Sequence, residues 1–86
     1  MYLITFKKSA EKELEKLPNT IIKKIAPSID SLSQNPRPVD SKKLTGFKEN
    51  LWRIRIGDYR IIYLIEDTIK IIEIRKVGHR KDIYHK

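Results

Sequence analysis

The sequence predicts a small α+β domain in which two N-terminal helices pack on one face of a small, mostly antiparallel sheet. The predicted order of elements is β-α-α-β-β-β. Apolar residues recur at helical spacing in the first half of the chain, and from Leu51 onward they alternate with polar residues as in a strand. The dipeptide Gly57-Asp58 separates two alternating segments, which is typical of a tight hairpin. This order of elements favours helices that cover one sheet face while the other face stays partly open.

The first strand and the first helix are predicted from short N-terminal segments. Residues 2–6 are β-branched and aromatic, which favours a strand. Ser9 is suited to cap a helix over residues 10–17, because its hydroxyl can accept a hydrogen bond from a free backbone N–H of the first turn. Pro18 is expected to end that helix.

The second predicted helix follows directly, with Asn19 or Thr20 as its cap. Apolar residues recur at helical spacing from Ile21 to Leu32. Pro27 lies inside this segment and lacks the N–H that a helix interior uses, so we expect it to bend the helix or restart it there. The segment 35–38, with two prolines, then ends the helical half of the chain.

A three-stranded meander is predicted for the second half, after a long loop that contains residues 41–46. We predict strands at residues 51–56, 59–65 and 69–77, with turns between them at residues 57–58 and 66–68. Gly78 is expected to end the last strand. The sequence leaves open where the first strand of the chain lies in the sheet.

Composition excludes several classes of protein. The 86 residues predict one domain over 1–86, and the absence of cysteine excludes disulfides, thiolate nucleophiles and thiolate metal sites. No carboxylate or histidine spacing suits a metal, and no glycine-rich phosphate loop is present, so we predict no cofactor. The longest apolar run, residues 61–65, is too short to span a bilayer. The N-terminus places apolar residues before its lysines, the reverse of a signal peptide, so we expect a cytoplasmic protein without a membrane partner.

The charge of the chain favours a polyanionic partner. Nineteen Lys and Arg against 11 Asp and Glu give a formal net charge of +8. Most of the arginines lie in residues 44–86, and a guanidinium group offers a planar fork of donors that matches phosphate. These arginines are Arg53, Arg55, Arg60, Arg75 and Arg80. The C-terminal half is therefore predicted to recognise the anion.

The predicted hairpin brings three arginines to one surface. With Gly57-Asp58 as the loop, Arg55 lies opposite Arg60 and Arg53 shares their side, because residues paired across a ladder point the same way. We call this surface the arginine face. Opposed like charges destabilise a ladder by about 0.2–1 kcal/mol if the cost mirrors that of a favourable pair, and an anionic ligand removes that cost. The alternative is a solvated face whose cations guard against aggregation.

Three C-terminal segments, together with the order of elements, resemble the RelE/ParE toxin superfamily. They are residues 44–46 (LTG), 51–63 (LWRIRIGDYRIIY) and 77–84 (VGHRKDIY). The resemblance implies a RelE-like fold and a cognate antitoxin protein that wraps and neutralises the toxin. In members that cut mRNA on the ribosome, basic residues and a tyrosine line the cleavage site. The matching positions in this chain are Arg53, Arg55, Arg60, Arg80 and Tyr84.

The resemblance thus implies a ribosome-dependent mRNA endonuclease. Cleavage without a metal needs a deprotonated 2′-hydroxyl, a stabilised pentavalent phosphate and a protonated 5′-oxygen. Arginine suits the second task but stays protonated and is a poor base. RelE itself has lysines at the positions of Arg53 and Arg55, so here proton transfer falls to His79, to Tyr84 or to a group of the ribosomal RNA. Further candidates for contacts to RNA phosphates are Lys42, Lys43, Arg75 and Lys81.

Other interpretations remain open for individual residues and for the whole chain. His79 can equally be an exposed residue of the tail, and Tyr84 can equally anchor that tail on the core. On the same fold, an inhibitor of DNA gyrase of the ParE type is an alternative function, which a site with arginine and no lysine favours. The third alternative is a non-catalytic RNA-binding module or a toxin remnant.

Overall fold

The computed structural model describes residues 1–83, which form a five-stranded sheet with two helices packed against it. The elements are β1 (Leu3–Phe6), α1 (Lys8–Glu15), α2 (Asn19–Ser31), β2 (Lys42–Lys43), β3 (Leu51–Ile56), β4 (Tyr59–Glu66), β5 (Ile71–His79) and α3 (Arg80–Ile83). The strand order is β1-β5-β4-β3-β2, with β1 parallel to β5 and the other neighbours antiparallel. The predicted α+β class is confirmed, and the short elements β2 and α3 are additions to it.

Strand β1 lies at an edge of the sheet, beside the last strand of the meander. The Leu3 N–H donates to the carbonyl of Lys70 and the Lys7 N–H donates to that of Ile74, each at 2.9 Å. A parallel pair cannot be joined by a tight turn, so the chain connects these strands through the helices and the rest of the sheet. This placement answers the question that the sequence left open.

Neither helix is capped by the predicted side chain. Helix α1 begins right after Lys7, whose side chain makes no cap hydrogen bond, and Ser9 lies inside the first turn. The Lys7 backbone is instead held by β5, so strand pairing decides where this helix starts. Helix α2 follows Pro18, and the residues predicted as its caps also lie inside its first turn. The cap predictions were wrong because tertiary contacts and a proline set both helix starts.

Helix α2 continues through Pro27, so of the two predicted outcomes, a bend or a restart, the restart does not occur. Proline removes the hydrogen bond to the carbonyl four residues earlier, which belongs to Lys23. Both residues are exposed, so water can replace the missing donor. On the opposite side, Ile25 and Ile29 are buried against the sheet and hold the helix in place. No helix of the described residues is both long enough and apolar enough to cross a bilayer.

The core lies between the two helices and one face of the sheet, which we call the helix face. Its buried side chains come from both helices, the segment after α2, and strands β3, β4 and β5. They are Ala10, Ile25, Ile29, Leu32, Ile54, Ile61, Tyr63, Ile65, Ile72, Ile74 and Val77. The predicted alternation along the hairpin therefore delivers one apolar row to this face and leaves the other row on the opposite side.

The connection between β4 and β5 is longer than predicted. Residues 67–70 form the turn, and β5 starts at Ile71 and runs through Gly78 to His79. Lys70 adopts a left-handed conformation with φ 58°, which non-glycine residues seldom do. Two contacts hold it there: its carbonyl accepts the hydrogen bond from β1, and its ammonium lies 5.0 Å from the centre of the Tyr2 ring. The prediction placed the turn too early because these contacts come from β1.

Gly57 is the residue on which the hairpin turn depends most. Its φ is 60° while that of Asp58 is not positive, which is typical of a type II′ turn. We expect Gly57→Ala to lower the free energy of unfolding by about 1–2 kcal/mol, because a side chain disfavours this backbone conformation. Urea titration followed by circular dichroism measures the change. Gly78→Ala is the matched control, since Gly78 has no positive φ and an added Cβ would meet no atom within 4 Å. Equal losses for the two variants would contradict the prediction.

Candidate functional site

The arginine face exists as the hairpin predicted it. Arg55 pairs with Arg60, and Arg53 pairs with Ile62, in the β3–β4 ladder. Their neighbours Ile54 and Ile61 belong to the core on the helix face. Because successive side chains of a strand point to opposite faces, the three arginines share the face that the helices do not cover.

Two of these arginines are buried without a carboxylate. Only 6% of Arg53 and 9% of Arg60 is exposed, whereas Arg55 is exposed. Arg60 donates from Nη1 to the carbonyls of Gly57 and Tyr59, each at 3.3 Å. Among the side chains of residues 1–81, none of the three forms an ion pair. Buried charges normally have a partner, so this arrangement favours an anion supplied from outside the chain.

Arginines elsewhere in the protein are paired with acids. Arg37 forms a bidentate pair with Asp67, at 2.7 and 3.4 Å, and its guanidinium lies 5.2 Å from the centre of the Trp52 ring. The hydrogen bond from Arg37 lowers the pKa of Asp67, and Tyr2 donates a second bond to the same carboxylate. Arg37 thus has a structural role. It differs in this from the arginines of the arginine face, which have no carboxylate partner among the described side chains.

Arg75, a predicted RNA contact, is also held by acids of the chain. Its Nη2 lies 2.8 Å from Oε2 of Glu49, and its Nε binds Glu73. The hydrogen bonds that Arg75 donates to these carboxylates raise its pKa despite partial burial, and Arg75 in turn lowers the pKa of Glu49. Arg75 is therefore paired with acids, unlike the three arginines of the arginine face.

Two lysines widen the arginine face. Lys42 of β2 pairs with Arg53, and Lys76 of β5 pairs with Ile62, so the row from Lys42 to Lys76 crosses four strands. Both lysines are exposed. Lys43 pairs with Trp52 instead and therefore points toward the opposite side of the sheet from Lys42.

The sequence did not predict that Lys76 lies on the arginine face, because the face to which its side chain points depends on a bulge in β5. Ile62 pairs with Lys76 but the next residue, Tyr63, pairs with Ile74, so Arg75 is an extra residue in the ladder. The extra residue reverses the alternation beyond it. The bulge is visible in the sequence as a change in the spacing of apolar residues. They are two residues apart up to Ile74, and three residues separate Ile74 from Val77.

Exposure varies along the arginine face, and Arg55, near the hairpin turn, is exposed. Leu51 and Leu64, which lie on the same side farther along the hairpin, are only 7% and 8% exposed. The loop before β3 passes this end of the sheet, since Glu49 binds Arg75 of β5, two strands away from β3. Arg53 and Arg60 are as little exposed as the leucines, so an incoming anion first meets the exposed cations Arg55, Lys42 and Lys76.

Arg80 lies beside the hairpin turn that joins β3 and β4. Its backbone N–H donates to the carbonyl of Asp58 at 2.7 Å, which joins the start of α3 to the hairpin turn. Its Nε lies 3.9 Å from a carboxylate oxygen of Asp58, and both side chains are more than half exposed. Lys81 follows and is exposed. Tyr84, the tyrosine predicted for the site, lies outside the described residues.

His79 is not placed beside the arginines. It pairs with Tyr59, which packs on the core, and the two rings meet edge to face with centroids 5.5 Å apart. Its Nδ1 accepts a hydrogen bond from the Lys81 N–H at 3.2 Å. In the neutral ring the proton is then on Nε2, so the nitrogen that could act as a base is already engaged.

A groove of about 100 Å³ adjoins the arginine face at the outer edge of β3. Ser28, Ser31 and Asp40 line it together with Arg55. The edge is free there because β2 pairs with Trp52 and Arg53, in the first half of β3. In the described part of the chain, no three histidine or carboxylate side chains are grouped as a metal site.

Comparison with known proteins matches residues 4–84 to a family model described as the ParE toxin of the type II toxin–antitoxin system parDE. The chain belongs to the RelE/ParE toxin superfamily. Toxin RelE3 of Methanocaldococcus jannaschii is 41% identical over 86 residues, covering 94% of this chain and 93% of the relative. Toxin RelG of Mycobacterium tuberculosis is 33% identical, covering 99% and 98%.

Solved structures of RelE/ParE toxins share the fold. A chain of the RelE–RelB complex from Pyrococcus horikoshii superimposes with a TM-score of 0.82 at 33% identity, covering 94% of this toxin and 97% of that chain. A chain of the RelBE2 toxin–antitoxin complex from Mycobacterium tuberculosis has a TM-score of 0.80 at 30% identity, covering 92% and 98%. The sheet with its arginine face is thus the sheet of a RelE-type toxin.

Proposed function

We propose that this toxin is an mRNA endonuclease that acts on the ribosome, in the cytoplasm, and that a cognate antitoxin protein neutralises it. The observation that carries the proposal is the pair of buried guanidinium groups, Arg53 and Arg60, which have no carboxylate partner in the described chain. Similarity to RelE toxins, some of them solved as RelE–RelB complexes, supports both the ribosomal substrate and the antitoxin.

The arginine face can stabilise the charge that develops on a phosphate during cleavage. Arg53 and Arg60 are already desolvated, so their interaction with a pentavalent phosphate is stronger than it would be in water. Arg55, Lys42 and Lys76 are exposed and can bind the flanking phosphates of the strand. Arg80 lies at the hairpin turn, where it can reach the same strand.

Proton transfer needs a group other than these arginines, because a guanidinium stays protonated. The Nδ1 of His79 is engaged by the Lys81 N–H, and its ring lies against Tyr59. The proposal therefore assigns the proton-transfer steps to Tyr84 or to a group of the ribosomal RNA. No metal ion is required for this route, in which the 2′-hydroxyl of the mRNA attacks the adjacent phosphate.

Controlled expression without an antitoxin tests this function. We expect growth to stop and primer extension to show breaks at defined codon positions in translated mRNA. Purified toxin should reproduce the breaks on mRNA bound to ribosomes and leave naked mRNA intact. Growth arrest with intact transcripts would contradict the proposal.

Inhibition of DNA gyrase is the second candidate. The match to the ParE family model favours it, as do arginines at positions 53 and 55, where RelE itself has lysines. In that case toxin added to gyrase and supercoiled plasmid should yield linear DNA. Unaffected gyrase together with ribosome-dependent mRNA breaks would exclude this candidate, and a protein inactive in both assays would be a toxin remnant.

A further inference from the structure

The last part of β5 has no neighbouring strand on one side. Strand β1 ends at Phe6, which pairs with Ile74, whereas β5 continues to His79. In the β4–β5 ladder, the backbone groups of Arg60 and Gly78 face each other, and those of Val77 point the other way, toward the position that a longer β1 would fill. Val77 is only 3% exposed, so water does not readily reach its N–H.

Helix α1 supplies the missing acceptor. Oε1 of Glu13 accepts a hydrogen bond from the Val77 N–H at 3.0 Å, in a partly buried setting. A bond from a backbone N–H to a carboxylate is stronger than one between neutral groups. A glutamate on a helix thus takes the place of a strand at the point where β1 stops.

This end of β5 carries three features of the arginine face. Lys76 pairs with Ile62 in the row of cations, and Gly78 pairs with Arg60. Arg80 follows, and its N–H binds the Asp58 carbonyl at the hairpin turn. If residues 77–79 leave the sheet, Gly78 no longer pairs with Arg60, Lys76 loses the strand that continues beyond it, and Arg80 loses the hydrogen bond that holds it at the hairpin turn.

We propose that Glu13 is a positioning residue of the toxin, which holds the end of β5 and so keeps Lys76 and Arg80 on the arginine face. It lies on α1 and touches neither the arginines nor the groove at β3. The functional part of this inference rests on the proposed RNA chemistry, whereas the structural part stands on the hydrogen bond to Val77 alone.

Amide hydrogen exchange of the intact toxin tests the structural part without any activity. We expect Glu13→Ala, and Glu13→Asp with its shorter reach, to speed exchange of the Val77 amide at least about tenfold, since a buried bond to a charged group is lost. Glu13→Gln keeps an oxygen at the same position and should restore most of the protection. Glu15→Ala is the matched control, because Glu15 is exposed on the same helix. Equal exchange in Glu13→Asp, Glu13→Ala and Glu15→Ala would overturn the proposal.

Binding of a short single-stranded RNA, measured against salt concentration, tests the functional part. Glu13→Ala should bind more weakly, with a salt slope smaller by about one for each lysine or arginine that leaves the face. Glu13→Gln should bind RNA as tightly as the wild type. A role of Glu13 in global stability alone would not require this result. Faster Val77 exchange with unchanged RNA binding would overturn the positioning role. If the wild-type toxin binds no free RNA, cleavage of ribosome-bound mRNA by Glu13→Ala and Glu13→Gln replaces the binding measurement. If the wild-type toxin cuts no ribosome-bound mRNA, the proposed function fails while the exchange result still decides the structural role of Glu13.

Discussion

Arg60→Ala is expected to lower the rate of mRNA cleavage on the ribosome by about 10²–10³-fold while the toxin stays folded. Arg60 is 9% exposed and lies opposite Arg55, and its partners among the described side chains and backbone are two carbonyls. Its removal takes a desolvated positive charge from the transition state but also relieves repulsion across the ladder, so the loss of activity should far exceed the loss of stability. Single-turnover cleavage and urea unfolding measure the two quantities.

Two variants control for charge and shape. Lys24→Ala removes one positive charge from an exposed position on α2, far from the arginine face, and should leave the rate unchanged. Arg60→Lys keeps the charge but not the planar fork of donors, so it should retain part of the activity. Cleavage by Arg60→Ala at the wild-type rate would contradict the assignment of this residue. Equal losses in Lys24→Ala would instead indicate a general effect of net charge.

Tyr63→Phe is expected to lower the free energy of unfolding by about 1–3 kcal/mol. Tyr63 is fully buried, and its hydroxyl donates to the carbonyl of Pro36 at 2.7 Å, which anchors the segment after α2 on the sheet. Phenylalanine fills nearly the same volume but leaves that carbonyl without this donor. Tyr2→Phe is the matched control, because its hydroxyl binds an exposed carboxylate and its loss should cost less. Equal costs in urea titrations would contradict the prediction.

The same hydroxyl predicts a loss of stability at high pH. Burial raises the pKa of Tyr63 to about 12 from a usual value of 10.0. The folded protein therefore holds this proton more tightly than the unfolded chain, and the resulting stabilisation is complete below pH 10 and declines up to about pH 12. The decline attributable to Tyr63 is on the order of 2–3 kcal/mol. It should be missing from Tyr63→Phe, and parallel pH profiles for the two proteins would exclude it.

The hairpin shows how much of the site local sequence can specify. A two-residue loop at Gly57-Asp58 allows one register between its flanking strands, and every pairing from Ile56 outward follows from it. The predicted opposition of Arg55 and Arg60 was correct for this reason. The helical segments were likewise recognisable, because their apolar periodicity reflects one buried side.

Pairing between segments that are far apart in the sequence does not follow from local sequence patterns. The bulge at Arg75 decides that Lys76 joins the arginine face, and it forms directly after Ile74, where the pairing of β5 with β1 ends. The partners of Arg75 illustrate the same point, since Glu49 lies 26 residues away along the chain. No local sequence pattern predicts which arginine pairs with a carboxylate and which does not.

The amino-acid sequence by itself determined the α+β class, the two helices, the hairpin register and a cluster of three arginines on one surface. These depend on periodicity and on a single turn, both of which act over a few residues. Only the tertiary structure decided that β1 lies beside β5, that Arg75 is neutralised, that His79 faces away from the arginines, and that Arg53 and Arg60 are buried without an acid among the described side chains. Those outcomes depend on which distant segments meet when the sheet closes on its helices, and that is a property of the packed chain as a whole.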